Sequence, residues 1–127
     1  MPTHRPYPYP SDSQRAASSE LAPHLEELRA ALIQQRCFRL EQLRELARMP
    51  VKHSPPDLPR DEVTACLRTA AAAALLDIEA ALDRLVNGGY GRCEHCRYAI
   101  ALERLEILPM ARMCMRCQRE KESRSPR

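Results

Sequence analysis

The sequence predicts an all-α dominated fold: a long antiparallel helical hairpin, or coiled coil, followed by a small C-terminal four-cysteine module, with disordered termini. Two long segments rich in Leu, Ala, Glu and Arg repeat their apolar residues at helical spacing, and a Pro-rich segment separates them. Two Cys-x-x-Cys pairs follow the second segment. With one Phe, four Tyr and no Trp, the chain of 127 residues can bury a helix–helix seam but not the thick core of a sandwich.

The hairpin is expected over residues 18–87, after a disordered tail at 1–17 that contains Pro, Ser and Tyr without periodicity. In its first helix, which ends near Arg48, Leu21, Leu25, Leu28 and Leu32 recur at intervals of four, three and four residues. This spacing places them on one helix face, and the stripe continues after a small phase shift through Cys37, Leu40, Leu43 and Ala47.

A Pro-rich turn at 49–60 stops the first helix, because proline cannot continue a helix and restricts the residue before it. The second helix is expected from Asp61 to Asn87, where Asn87-Gly88-Gly89 supplies a left-handed C-terminal cap. Its apolar stripe is expected to consist of Leu67, Ala71, Leu75, Ile78, Leu82 and Leu85.

Two further cysteines lie on the hairpin. With the turn centred near residue 55, Cys37 faces the neighbourhood of residue 73 and is offset from Cys66 by about 10 Å along the axis. That separation is too large for a disulfide, so we expect both to be small packing residues.

The C-terminal cysteines, Cys93-x-x-Cys96 and Cys114-x-x-Cys117, have 17 residues between the pairs, a spacing typical of a tetrahedral zinc site. A redox Cys-x-x-Cys motif would need a strand–helix context that is absent here. Four protein ligands leave no position for water or substrate, so the site is expected to hold one structural zinc ion. The zinc-finger module is placed at 88–118 and a C-terminal tail at 119–127.

Several residues near the cysteines are expected to support the module. Tyr90 and Tyr98 should pack around the site, and His95 should be exposed. A small core is expected from Ile100, Leu102, Leu105 and Leu108. Counter-charge for the thiolates is expected from Arg92, Arg97, Arg112 and Arg116.

Composition also limits the location and the partners of the protein. The chain has no apolar run of signal-peptide or membrane-spanning length, so we expect a cytoplasmic protein without a membrane partner. Net charge is only +3, and the second helix is acidic, which is not the profile of a strongly basic nucleic-acid arm.

The sequence "GGYGRCEHC", followed by "I…RLE…P.A..C..C", resembles the four-cysteine zinc module of the DksA/TraR family of bacterial transcription regulators. The Arg-Leu-Glu…Pro…Ala interior makes the resemblance specific, because zinc binding does not require it. The matching positions are Gly89, Tyr90, Gly91, Cys93, Cys96, Ile100, Arg104, Leu105, Glu106, Pro109, Ala111, Cys114 and Cys117.

The resemblance implies a regulator that binds bacterial RNA polymerase directly and does not contact promoter DNA sequence-specifically. The hairpin of family members enters the secondary channel, and its tip approaches the active site and shifts the stability of promoter complexes. We therefore expect a monomer whose hairpin tip contacts the polymerase, with the candidate contact residues Lys52, His53, Asp57 and Asp61.

Two features depart from the family pattern. Better-studied members carry an acidic tip, whereas "PVKHSP" at 50–55 has no acid, and Asp57 and Asp61 are the nearest carboxylates. Some relatives bind the alarmone ppGpp through basic residues, and the aligned positions here are Asp77, Leu108 and Gln118. We therefore expect weak or absent ppGpp binding.

Other functions remain as alternatives. A GATA-like DNA-binding finger shares the cysteine spacing, but it needs a basic arm behind the second pair, and here the tail contains Glu120 and Glu122. A zinc-stapled module that binds another protein is a second alternative. An enzyme is not expected: no Ser/His/Asp set, phosphate loop or open metal site is visible, and Asp77, Glu79 and Asp83 suggest an exposed acidic face.

Overall fold

The structure is a computed structural model that describes residues 20–49 and 58–124. A 3-10 turn at Ala22–His24 leads into helix α1, Leu25–Arg48, and helix α2 spans Leu58–Asn87. Two short helices follow, α3 at Leu102–Ile107 and α4 at Met115–Arg124. Over these ranges, extended pairing is limited to one isolated antiparallel bridge between Arg92 and Ala99. The predicted all-α dominated fold with a four-cysteine module is confirmed.

Helices α1 and α2 pack along a buried seam. Leu28, Leu32 and Leu46 of α1 are at most 4% exposed, and Ala71, Ile78 and Ala81 of α2 are fully buried. The apolar spacing in the sequence puts these residues on one face of each helix, and the alanines allow the two backbones to approach closely. The seam makes the two helices a hairpin, as the periodicity predicts.

Contacts across the hairpin establish its antiparallel register. Arg36 of α1 pairs with Glu79 of α2 at 3.5 Å, and nearer the turn Arg68 Nη2 donates to the Leu46 carbonyl at 2.8 Å. The Leu46 carbonyl, in the last turn of α1, also accepts the Met49 N–H at 3.4 Å, so Arg68 supplies it with a second donor. The midpoint of both contacting pairs lies near residue 57, and not near residue 55, where the sequence analysis centres the turn.

The prediction that Cys37 and Cys66 pack in the seam is wrong, because both are exposed free thiols. Each lies five residues from a buried seam residue, Cys37 from Leu32 and Cys66 from Ala71, which rotates it by about 140° around its helix. In the observed register Cys37 lies level with about residue 78 of α2. Cys66 is about 12 residues, or about 18 Å, from that position along the axis, so a disulfide remains excluded. Leu67, another predicted seam residue, is 43% exposed.

One hydrophobic core runs from the hairpin base into the cysteine module. Its buried members include Leu28 and Ile78 of the hairpin together with Tyr90, Ile100 and Leu105 of the module. Cys93 and Cys117 belong to the same cluster, so the metal ligands are part of the core that holds the helices together. Two residues predicted to pack here, Tyr98 and Leu108, are instead 37% and 42% exposed.

Some predicted boundaries differ from the described elements. Helix α2 already includes Leu58–Arg60, since a proline such as Pro59 is tolerated in a first helical turn, where its N–H would have no partner. Helix α4 extends to Arg124, within the segment assigned to a tail. The predicted disordered tail at 1–17 and the tip residues Lys52, His53 and Asp57 lie outside the described residues. None of the described helices is long and apolar enough to cross a membrane.

Candidate metal centre

A glycine-rich turn carries the chain from α2 into the cysteine module. Gly88, Gly89 and Gly91 have φ values of +77°, +132° and +86°, a region that L-residues with a side chain rarely adopt. At Gly91 an added Cβ would also lie 2.5 Å from Cδ2 of Leu21, so the end of the Leu21 side chain would have to move. The segment before α1 is thereby held against the entry to the first cysteine pair.

The first cysteine pair forms a tight backbone knuckle. The Cys93 N–H donates to the Tyr98 carbonyl at 2.8 Å, and the Arg97 N–H donates back to the Cys93 carbonyl at 2.9 Å. Arg97 closes this turn in the left-handed region, with φ +67°. These bonds bend the chain so that the two sulfur atoms face the same side.

The second pair opens helix α4 and is joined to the first by backbone. The Gln118 N–H donates to the Cys114 carbonyl at 2.9 Å, and the Cys117 N–H points at the Cys114 sulfur at 3.5 Å. The Glu94 N–H, inside the first knuckle, donates to the Arg112 carbonyl at 2.8 Å. The two knuckles therefore face each other across a short gap.

The four sulfur atoms fit one tetrahedral zinc ion. The Sγ atoms of Cys93, Cys96, Cys114 and Cys117 all lie within 4.8 Å of one another, and those of Cys96 and Cys114 are 3.8 Å apart. Zinc–sulfur bonds of about 2.3 Å in a tetrahedron require sulfur atoms about 3.8 Å apart. The set supplies four thiolates and no open position, which makes a structural zinc site.

Burial and backbone donors act on the cysteine thiols in opposite directions. At Cys93, burial favours the neutral thiol, but backbone N–H groups, those of Cys96 and Cys114 foremost, lower its pKa to about 7. Burial raises the pKa of Cys96 and of Cys117. Zinc supplies the positive charge that lets all four sulfurs be thiolates in this partly buried setting.

A cluster of charged side chains fastens the module to the hairpin. Arg112, two residues before Cys114, contacts Asp77 of α2 at 3.0 Å and Glu94 of the first knuckle at 3.7 Å. Arg84 of α2 contacts Glu94 at 3.8 Å and donates to the Ala111 carbonyl at 3.4 Å. The two arginines link α2 to both cysteine knuckles.

Two further hydrogen bonds order the loop between the cysteine pairs. The buried hydroxyl of Tyr90 donates to the Pro109 carbonyl at 2.8 Å, and Arg104 Nε donates to the Met113 carbonyl at 3.0 Å. These bonds give Tyr90, Arg104 and Pro109 of the quoted motif a structural role. They fix the approach of the second pair to the first.

The other candidate residues from the sequence lie on α2 and in the first cysteine knuckle. Asp61 lies half-buried in the first turn of α2, away from the cysteines, and His95 is exposed as predicted. Asp77 and Glu79 are paired with Arg112 and Arg36, so the predicted exposed acidic face is partly neutralised. The Arg112–Asp77 contact joins residues 35 positions apart, and no local pattern in the sequence signals it.

Comparison with known proteins agrees with this geometry. Residues 88–123 match the model of the prokaryotic dksA/traR C4-type zinc finger. An uncharacterized protein of Aquifex aeolicus is 35% identical over 65 residues, which cover 51% of this chain and 45% of that protein. The match therefore spans less than half of the Aquifex protein.

A solved structure extends the likeness to the hairpin. The transcription factor DksA2 from Pseudomonas aeruginosa is similar with a TM-score of 0.52 and 26% identity, and 92% of each chain is covered. The likeness thus includes the long helices as well as the cysteine module.

Proposed function

We propose that this chain is a bacterial transcription regulator of the DksA/TraR family that binds RNA polymerase directly. Its helical hairpin enters the secondary channel of the polymerase and modulates promoter complexes there. Specificity for promoters arises from the properties of those complexes and not from reading a DNA sequence.

The observation that supports this proposal best is the joining of a long hairpin to a zinc-clamped base. Helix α1 is about 36 Å long and α2 about 45 Å, which is long for so small a protein. A two-helix seam alone buries little surface, and here the core of the zinc module extends it. A stiff projection on a fixed base suits insertion into a narrow channel.

The tip of the hairpin is the proposed contact with the polymerase interior. Lys52, His53, Asp57 and Asp61 are the candidate contact residues. Because the turn lacks the acidic motif of better-studied relatives, we propose that polymerase binding is retained while the effect on initiation differs from theirs.

We propose that ppGpp binds weakly or not at all. Of the three aligned positions, Asp77 is acidic and already paired with Arg112 at 3.0 Å, and Gln118 donates to Glu122 at 3.0 Å. A polyphosphate at Asp77 would meet like charge and compete for Arg112. Transcription output that does not change on ppGpp titration supports this, and clear synergy contradicts it.

The proposed function requires no catalysis, no membrane partner and no sequence-specific DNA binding. A closed four-thiolate site offers no coordination position for a substrate, so the zinc ion is structural, and we propose that the protein is not an enzyme. The protein acts as a cytoplasmic monomer, without a membrane partner and without sequence-specific nucleic-acid binding.

Binding of the zinc-loaded protein to purified bacterial core RNA polymerase tests the proposal. We expect saturable binding at micromolar concentration that is lost when the zinc ion is chelated. Failure to bind leaves a zinc-stapled module with another protein partner. A salt-sensitive shift of duplex DNA in the absence of polymerase supports a GATA-like finger instead.

A further inference from the structure

A second group of metal-binding side chains lies against the structural zinc site. Donor atoms of His95, Cys117 and Glu120 are all within 4.8 Å of one another. His95 and Glu120 are exposed, whereas Cys117 is only 3% exposed. The group therefore reaches from the zinc ligand Cys117 to the protein surface.

Two separate elements bring these three residues together. Cys117 and Glu120 are three residues apart in α4, so they lie on the same face of that helix. His95 approaches from the turn of the first cysteine knuckle, which is bonded to the second through Glu94 and Arg112. The same backbone bonds that form the structural site thus position His95 opposite Glu120.

The donor chemistry suits a cation of the zinc type. Thiolate sulfur, imidazole nitrogen and carboxylate oxygen are all zinc ligands, and imidazole and thiolate also favour related borderline metals. A zinc-bound thiolate keeps lone pairs that can bind a second metal ion. Four thiolates around one zinc ion carry a net negative charge, which attracts another cation to the cluster.

We propose that His95, Glu120 and the shared thiolate of Cys117 form a second divalent-cation site, adjacent to the structural zinc. Three protein ligands leave a position for water, so this site is open where the structural site is closed. Because the Cys117 thiolate already donates charge to the first ion, it binds a second ion more weakly than an unshared thiolate would. The second site therefore fills and empties with the free metal concentration while the structural zinc stays bound.

The test counts metal ions on tag-free, zinc-loaded protein during equilibrium dialysis against increasing Co²⁺. We expect one cobalt ion to bind in addition to the resident zinc, with no zinc released and with a thiolate-to-cobalt absorption band. Saturation with no bound cobalt overturns the proposal. Release of one zinc for each cobalt bound also overturns it, because cobalt then occupies the structural site.

Matched variants connect the second ion to the named residues. His95→Ala and Glu120→Gln are each expected to lose the cobalt ion and to keep the zinc ion. Retention of the zinc ion also shows that the variant proteins are folded. Glu122→Gln is the control, because Glu122 lies on the same helix and accepts a hydrogen bond from Gln118 instead. Cobalt binding that is equal in all three variants indicates an adventitious ion and overturns the proposal.

Discussion

At the scale of single residues, Gly91 connects the N-terminal segment to the metal centre. Its φ of +86° disfavours any side chain, and a Cβ there would displace the end of the Leu21 side chain. We expect Gly91→Ala to destabilise the zinc-loaded protein by about 1–3 kcal/mol, mainly through backbone strain, with a small contribution from the displaced Leu21 side chain. Urea denaturation measures the effect.

Gly88→Ala is the matched control for Gly91→Ala. Gly88 also has a positive φ, +77°, but a Cβ there would have no atom within 4 Å. Gly88→Ala should lower the free energy of unfolding only through backbone strain, by about 1–2 kcal/mol. Equal losses at the two positions would show that Leu21 does not restrict the space at Gly91.

Tyr90 provides a pH-dependent prediction. Burial raises the pKa of Tyr90 to about 12, above its usual value of about 10, so folding favours the neutral phenol. The resulting stabilisation is complete below about pH 10 and is lost as the pH rises through about 12. We expect absorbance at the tyrosinate band to show one tyrosine that ionises late and that disappears in Tyr90→Phe.

The Tyr90→Phe variant also tests the hydrogen bond to Pro109. Removing the hydroxyl leaves a buried carbonyl without its donor, so we expect a loss of about 1–2 kcal/mol at neutral pH. Tyr98→Phe is the control, because its ring is 37% exposed. A loss at Tyr98 as large as at Tyr90 would contradict the assigned role.

The sequence predicts single residues well only where local spacing decides their environment. The four zinc ligands follow from two Cys-x-x-Cys pairs, and buried Leu28, Leu32 and Ile78 follow from helical periodicity. Cys37 and Leu67 were assigned to the seam but are exposed, because a small phase error accumulates along a helix. The contact of Leu21 with Gly91 joins distant parts of the chain and has no local signal.

At the scale of elements, Arg112 is one of the two arginines that connect the zinc module to α2. A double-mutant cycle on Asp77→Asn and Arg112→Gln is expected to give a coupling of about 0.5–1 kcal/mol at low salt, since both side chains are partly exposed. The coupling should fall as salt screens the charges. Urea denaturation of the four proteins at two salt concentrations measures it.

The pair Arg36–Glu79 serves as the comparison for this cycle. It lies within the hairpin, has a longer contact of 3.5 Å and does not reach the zinc module. Its coupling should be smaller than that of Arg112 and Asp77. A zero coupling at Asp77–Arg112 would mean that this ion pair does not help to orient the module, which the apolar core and the contacts of Arg84 would then hold.

The helices themselves were predictable, but their ends and attachments were less so. The Pro-rich segment predicts a break, yet Leu58–Arg60 already belong to α2, because the first turn of a helix accepts proline. The sequence predicts that Arg112, like Arg92, Arg97 and Arg116, balances the charge of the thiolates. The structure instead directs Arg112 to carboxylates of α2 and the first knuckle, which spacing in the sequence does not indicate.

At the scale of the whole molecule, the shared core predicts that zinc stabilises the hairpin as well as its own module. We expect chelation to reduce helical circular dichroism by more than the residues of α3 and α4 can account for, and zinc to restore it. The double variant Cys37→Ser/Cys66→Ser should behave like the original protein. Full helicity after chelation would show that the hairpin is stable without the metal.

We propose that the hairpin enters the secondary channel of RNA polymerase, and site-specific crosslinking can detect it there. A photocrosslinking residue is placed at His53, within the predicted Pro-rich turn, and in a control protein at Glu122, in α4 of the zinc module. Position 53 should crosslink to the catalytic subunit inside the channel, and position 122 should not. Crosslinks from position 53 to surfaces outside the channel would contradict this proposal.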